Sequence, residues 1–227
     1  MGSGTCTSPT AVAESVGQLP TVLPIFPLVG VVLLPRGLLP LHIFEPRYVA
    51  MIGDALAGER MIGMIQPNCL TVSGAGRAPL YPIGCAGRIS AFAEVDDDRY
   101  LITLTGVCRF TFEQELSHVS GYRRVVPMWQ GYDEDLAEAP QADINRQRLF
   151  TLLHSYFEAK EITPNWEAME SSPDDRLITA LAMVCPFEAN EKQALLEAQT
   201  LIERARILLT MVEMAVQSGD DARQIMH

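Results

Sequence analysis

Two regions of the chain differ in the spacing of their apolar residues. Up to about residue 130, short apolar runs alternate with Pro and Gly, whereas later apolar residues recur at helical spacing. The pattern predicts an α+β chain in which a β-rich region precedes a helical one. The predicted boundaries are a flexible tail at 1–20, a β-rich domain at 21–130, an acidic linker at 131–140, a helical bundle at 141–217 and a second flexible tail at 218–227.

A β-hairpin is the clearest strand prediction. Odd positions from Ile83 to Val95 are mostly apolar, and even positions are apolar from Tyr100 to Phe112, with a turn predicted at Asp96 to Asp98. Gly106 lies inside the second strand and predicts a bulge or bend that lets the sheet curl. Further strands are expected at Val22 to Phe26, Val31 to Leu34, Met61 to Gln66, Leu80 to Pro82 and Tyr122 to Met128.

Helices are predicted where apolar residues recur every three or four positions. Pro46 suits the first turn of a short helix that Gly58 ends. Later in the chain, Ser172 followed by Pro and two Asp is a helix start, and Pro186 ends that helix. The last helix has a broad apolar stripe, typical of packing within a bundle. Its members are Leu201, Ala205, Leu208, Val212 and Ala215.

The net charge of −11 is concentrated in the second region. Residues 1–130 contain nine basic and ten acidic side chains, whereas residues 131–227 contain eight basic and 18 acidic ones. An acidic surface repels phosphate groups, so neither nucleic acid nor an anionic membrane is expected as a partner. No apolar run reaches the roughly 20 residues that cross a bilayer, and no secretion signal is recognisable, so a cytoplasmic protein is expected.

Residue types that carry catalysis are few and scattered. Five Cys and four His residues lack metal-ligand spacing, so no metal and no cofactor are predicted, and burial is the expected fate of the Cys residues. The only lysines, Lys160 and Lys192, do not follow a glycine-rich phosphate-binding loop. Both are expected on the surface, where nothing lowers the pKa of an amine, so a Ser–Lys peptidase pair is not predicted either.

Several segments together carry a family resemblance. The most distinctive is the opening LPIFPL, VLLPRG and LPLHIFEPRY, which begin at Leu23, Val32 and Leu39. GCAGRI from Gly84, LTGVCRF from Leu104 and the later EKQALLE agree with it. Over about Leu23 to Gln217, the chain resembles the N-terminal, substrate-binding domain of the bacterial Lon protease, here without the ATPase or peptidase.

The resemblance implies a curled β-sheet or pseudo-barrel of the PUA-like type with a short helix, followed by a helical bundle. It implies a non-catalytic module that binds exposed apolar or unfolded polypeptide segments in protein quality control. One alternative is an adaptor or regulator that pairs with the intact Lon protease, or with a second copy of itself as a homodimer. Another is a PUA-like RNA-binding domain, which the acidic balance disfavours.

The residues around Phe44 allow two interpretations. In the structural one, His42, Glu45 and Arg47 pair locally and fix the start of the following helix. In the functional one, this segment is the rim of a peptide-binding site. The candidate contacts are Leu38, Leu39, His42, Phe44 and Arg47.

Overall fold

The computed structural model describes residues 19–68, 78–95, 99–119, 121–138 and 144–225. The predicted turn at Asp96 to Asp98 lies outside the described residues. The strands are β1 (Leu23–Pro27), β2 (Leu38–Ile43), β3 (Met61–Ile65), β4 (Gly84–Val95), β5 (Arg99–Val119) and β6 (Tyr122–Met128). The helices are α1 (Pro46–Ala57), α2 (Arg146–Ala159), α3 (Trp166–Ser171), α4 (Asp174–Val184), α5 (Ala189–Glu197) and α6 (Leu201–Ile225).

The sheet closes on itself because β5 is long enough to serve two neighbours. Its first half pairs with β4 and its second half with β6, while β6 also pairs with β1. The strand order β2-β5-β4-β3-β1-β6 therefore closes through β5 and β6, and β2 lies outside the closed part. This confirms the predicted α+β fold with a curled, barrel-like sheet. The predicted irregularity is confirmed as well, since the β4–β5 register shifts next to Gly106.

The predicted strand at Val31 to Leu34 is wrong, because this segment is a buried loop and the strand follows at β2. Leu33 and Leu34 are fully buried, and a short buried apolar run has no periodicity that distinguishes a strand from a loop. The loop lies against β5, where the Gly106 amide donates to the Gly37 carbonyl and the Arg36 amide donates to the Gly106 carbonyl. The strand predicted at Leu80 to Pro82 is only an isolated bridge between Leu80 and Pro67.

The helices share a hydrophobic core with the sheet. One cluster of buried side chains includes Leu104 from β5 as well as Leu181 and Leu208 from α4 and α6. A buried amide contact adds specificity, since the Gln66 side chain after β3 donates to the side chain of Gln193 in α5 at 3.1 Å. Because β and α elements bury the same surface, the helices hold a fixed position against the sheet. Within the described ranges, no helix is both long and apolar enough to cross a membrane.

Candidate functional site

A groove of about 810 Å³ opens where α4 faces the β2–β5 part of the sheet. We call it the interface groove. Its walls are mainly apolar, and Leu38 and Val184, which are 65% and 80% exposed, lie on its two sides. The other lining residues are Arg36, Gly37, Thr105, Gly106, Val107, Asp135, Leu136, Ala137, Glu138, Asp175, Arg176, Thr179, Ala180 and Met183.

Two glycines shape one side of the interface groove. A Cβ atom on Gly106 would lie 1.9 Å from the carbonyl oxygen of Leu34, so the close approach of the loop to β5 requires glycine there. A Cβ atom on Gly37 would lie 2.4 Å from the sulfur of Met183 in α4. Both glycines belong to segments that carry the family resemblance. The tight contacts at the two glycines therefore give these segments a structural role.

Arg36 joins the same loop to the segment after β6. It has a positive φ of 65°, and its Nη2 donates to the carbonyl oxygens of Asp135 at 3.1 Å and Ala137 at 2.7 Å. These bonds hold a 3-10 turn at Asp133–Asp135 against the groove. The predicted acidic linker therefore has an anchored first part, while residues 139–143 lie outside the described ranges.

A second, smaller cavity of about 160 Å³ shares Arg36, Asp135, Asp175 and Thr179 with the interface groove. We call it the arginine pocket because Arg36, Arg109 and Arg204 line it. Its remaining lining residues are Pro35, Glu134, Gln199, Thr200, Leu201 and Ile202.

The base of the arginine pocket is a buried ion pair. The Nε and Nη2 atoms of Arg109 donate to the two carboxylate oxygens of Asp135, each at 2.9 Å, and the Arg109 amide donates to Oδ2 as well. The side chains are only 4% and 8% exposed. Arg109 Nη1 also donates to the carbonyl of Ala198, so the pair ties β5 to the segment between α5 and α6. Such bidentate, charge-assisted contacts are among the strongest polar contacts in proteins.

Arg204 in α6 extends this network. Its Nε donates to the Leu195 carbonyl at 2.8 Å and its Nη2 to the Ala198 carbonyl at 3.3 Å. Burial, and after it the neighbouring positive charge of Arg109, lowers the pKa of Arg204 to about 10. Removal from water and like charge both disfavour the protonated form, so this guanidinium is short of negative partners.

Sequence reasoning missed this network, although one signal pointed to Arg204. It lies on the apolar stripe of α6, three residues after Leu201 and four before Leu208, so helical spacing already marks it as buried. Asp135 gave no such signal, because it follows two other acidic residues in a segment typical of a solvated linker. Its partner Arg109 lies 26 positions away, and only the fold brings the two together.

The predicted peptide contacts lie in different environments. Leu38 lines the interface groove, and His42 and Phe44 are exposed further along, with ring centroids 5.7 Å apart. Leu39 lies on the opposite face of β2, partly buried against the core. Arg47 is exposed, donates to Glu45 Oε2 at 3.0 Å and lies over the Tyr48 ring. Glu45 and Arg47 therefore pair locally, whereas His42 packs against Phe44.

The outer edge of β2 has no partner strand in the part of the chain that the structure describes. Among the described residues β2 pairs with β5 alone, and the bond between Gly106 and Gly37 fixes which backbone groups face β5. In an antiparallel pair these groups alternate, so those of Leu38, Pro40 and His42 face outward. Pro40 lacks an N–H, and an edge position is where its absence is tolerated.

The expectation that both lysines lie on the surface is wrong for Lys192. Lys160 is exposed, but Lys192 is 8% exposed, and burial lowers its pKa. Its Nζ donates to the carbonyl of Met183 at 2.9 Å and to no hydroxyl group of the described residues, so it has the role of a buried structural cation.

The predicted burial of the cysteines is confirmed for Cys85, Cys108 and Cys185, while Cys6 and Cys69 lie outside the described residues. The described part of the chain holds no cluster of three metal-ligating side chains.

Comparison with known sequences gives one family. A family model described as the ATP-dependent protease La (LON) substrate-binding domain matches residues 22–214. Lon protease 2 of Myxococcus xanthus is 28% identical over 224 residues, which cover 93% of this chain and 26% of that protein. The Lon protease of Anaeromyxobacter dehalogenans (strain 2CP-C) is 28% identical over 203 residues, covering 86% of this chain and 23% of that protein. The chain thus spans about a quarter of these relatives' length.

Solved structures show the same fold. The Lon N-terminal domain protein from Xanthomonas campestris superposes with a TM-score of 0.58 at 19% identity, covering 84% of this chain and 98% of that one. The N-terminal domain of the Mycobacterium avium complex Lon protease has a TM-score of 0.53 at 16% identity, covering 85% and 98%. The combination of closed sheet and packed helices is therefore shared with these two domains.

Proposed function

Because the chain belongs to the family of LON substrate-binding domains, we propose that it binds exposed apolar or unfolded polypeptide segments, and that it does so in the interface groove. The domain that matches is the substrate-binding part of the family and not a catalytic part. A module of this kind selects a polypeptide and leaves any covalent chemistry to other domains.

The observation that carries the proposal is the shape and lining of the interface groove. Its volume of about 810 Å³ accommodates several side chains, and Leu38 and Val184 offer apolar surface to an incoming chain. Burial of apolar surface supplies affinity without demanding one particular sequence. A site that receives many unfolded segments requires this kind of tolerance.

The open edge of β2 supports an extended conformation for the bound segment. Leu38 lines the groove and is also the first residue of β2, so a polypeptide in the groove can continue along the strand. The outward backbone groups of Leu38 and His42 can pair with it, whereas Pro40 offers only its carbonyl. Main-chain pairing of this kind ignores side-chain identity and suits a broad range of segments. His42, Phe44 and Arg47 are the proposed contacts beyond the groove.

The proposal is tested by measuring binding of a reduced and alkylated, permanently unfolded model protein by fluorescence anisotropy. L38D and V184D place a charge on each wall, and both positions are exposed enough to tolerate it. Each substitution should weaken binding roughly tenfold or more, because a charge in an apolar contact loses about 1–3 kcal/mol.

The matched control is M214D, since Met214 is 62% exposed and does not line the groove. It should bind as the original chain does. Failure of the folded original chain to bind any unfolded substrate would refute the proposed function. Equal weakening by all three substitutions would show that the groove is not the site.

The match to the N-terminal regions of Lon proteases favours a second role, association with the intact protease. The chain would then act as an adaptor or regulator, as a monomer or as a homodimer. Co-purification with a Lon protease, together with a changed rate of substrate degradation on addition, would support this role. An unchanged rate and separate elution would exclude it.

A further inference from the structure

The arginine pocket contains hydrogen-bond donors for which no described residue provides an acceptor. Thr179 is 8% exposed, lines the pocket, and its hydroxyl has no hydrogen-bond partner among the described residues. Arg204 is 7% exposed and uses only Nε and Nη2, which leaves Nη1 without an acceptor in the described part of the chain. The buried side-chain atoms that lack a partner among the described residues are Arg124 Nε and Tyr156 OH, so the Thr179 hydroxyl and Arg204 Nη1 are instead open to the cavity. Both donors can therefore donate to a group bound in the pocket.

The fully buried charges of the same pocket do not balance. Its buried ionic groups are Arg109, Arg204 and Asp135, and both carboxylate oxygens of Asp135 accept from Arg109. One positive charge is therefore in excess among the buried groups. On the wall shared with the interface groove, the half-buried Arg36 and Asp175 carry opposite charges, and Glu134 at the exposed rim is acidic, so the excess is confined to the fully buried groups. A buried charge without a partner is costly, and one negative charge would offset that cost.

The first turn of α6 faces the pocket as well. Leu201 and Ile202 line it, and amide groups at this end of a helix have no partner within the helix. The Thr200 hydroxyl accepts from the Glu203 amide, which satisfies one of the donors in this turn, and the Glu203 carboxylate accepts from the amide of Gln199, which precedes the helix. The remaining amides and the positive end of the helix dipole favour an anionic group.

We propose that the arginine pocket is a subsite for a single carboxylate group of the polypeptide that occupies the interface groove. This inference rests on the proposed function, because the carboxylate belongs to that polypeptide, either at its C-terminus or on an acidic side chain. The two cavities share Arg36 and Thr179, so an extended chain can place apolar side chains in the groove and a carboxylate in the pocket. Thr179 and Arg204 donate to the carboxylate oxygens.

A carboxylate fits the pocket better than a phosphate group. Asp175 and Glu134 also line it, and their negative charges oppose an incoming anion. Phosphate carries about −1.5 to −2 charges at pH 7, so it meets a larger repulsion than a carboxylate with a single charge. One carboxylate also matches the single excess charge of the buried groups.

The test compares three fluorescent peptides that share one apolar sequence. The first has a free C-terminal carboxylate, the second a C-terminal amide, and the third an amide and a Glu side chain near the C-terminus. We expect the amide peptide to bind roughly tenfold more weakly than at least one of the two carboxylate forms, because hydrogen bonds to a charged group are strong. Whichever carboxylate form binds more tightly identifies the source.

Two substitutions at one position connect the effect to the pocket. T179V keeps the shape of the side chain and removes the hydroxyl, whereas T179S keeps the hydroxyl. T179V should reduce the preference for a carboxylate severalfold, and T179S should preserve it. Thermal melting of both variants checks that they are folded.

Each outcome decides between the two proposals. Equal affinity for all three peptides overturns the carboxylate subsite and leaves the proposed function standing. Absence of binding by every peptide overturns the proposed function, and with it a polypeptide source for the carboxylate. If T179V and T179S both keep the preference for a carboxylate, the subsite lies elsewhere and the proposed location is overturned. If inorganic phosphate competes with the peptides more strongly than acetate does, the choice of a carboxylate over a phosphate group is overturned.

Discussion

Replacing Asp135 with Asn should destabilise the chain by about 3 kcal/mol or more, because removing one partner of a buried ion pair leaves an uncompensated charge. Asn has nearly the same shape as Asp but lacks its negative charge. Asp135 accepts three hydrogen bonds from Arg109, one of them from the backbone, at 2.9 Å each. Asn can accept with one oxygen only, and its NH₂ group then faces the guanidinium donors. The side chains are 4% and 8% exposed, so water cannot replace what is lost.

The measurement is urea unfolding followed by tryptophan fluorescence. With a slope of roughly 2 kcal/mol per molar urea, a loss of 3 kcal/mol lowers the midpoint by about 1.5 M. The matched control is E45Q, which removes the charge of an ion pair whose side chains are 52% and 45% exposed. Exposed pairs contribute about 0–1 kcal/mol, so this midpoint should move by less than about 0.5 M.

A D135N midpoint within the range of the E45Q control would refute the reasoning, because it would mean that Arg109 finds water or another acceptor. An unchanged slope is equally important to the interpretation. If the slope fell together with the midpoint, the substitution would have altered the compactness of one state rather than removed a single interaction.

Three further predictions concern packing and burial. G106A should destabilise the chain by several kcal/mol in urea unfolding, because the added Cβ would lie 1.9 Å from the Leu34 carbonyl oxygen. The control is G53A, a helical position in α1 with no atom within 4 Å of the added Cβ, which should stabilise the chain by about 0.5–1 kcal/mol. Equal effects of the two substitutions would contradict the close packing at Gly106. In a C6S/C69S variant, the three buried thiols should resist a thiol reagent until urea is added, and rapid reaction in the folded state would contradict their burial. Burial raises the pKa of Cys185 to about 12 from an ordinary value of 9, so between pH 9 and pH 12 unfolding releases the proton of this thiol. The free energy of unfolding should therefore fall as the pH rises from 9 to 12. C185A should reduce this pH dependence of the urea midpoint.

The sequence pattern predicted most elements because amphipathic segments are exposed on one face and buried on the other. The hairpin of β4 and β5 alternates clearly, and α1 begins at its predicted proline. Val31 to Leu34 was misassigned because its last three residues are all buried, so no alternation identifies its backbone. α3 was not predicted, since its six residues hold too few apolar positions to show a period.

The candidate site could be predicted only in part. Leu38 and the exposed positions around Phe44 follow from the turn-rich segment that carries the family resemblance. The interface groove depends on α4 facing β5 across the cavity, and no local pattern contains this arrangement. Arg109, Asp135 and Arg204 are far apart in sequence, and their charges gave no sign that they are buried together.

Closure of the sheet also sets the order in which the chain can fold. Leu23 in β1 pairs with Val125 in β6, roughly one hundred residues further along. Closing so long a loop has a large entropic cost, so this pairing should form after the more local pairings of the sheet. A nascent chain leaving the ribosome has an unpaired side on β1 until β6 has been synthesised. For that interval this domain exposes unpaired backbone groups of the kind that any unfolded polypeptide exposes.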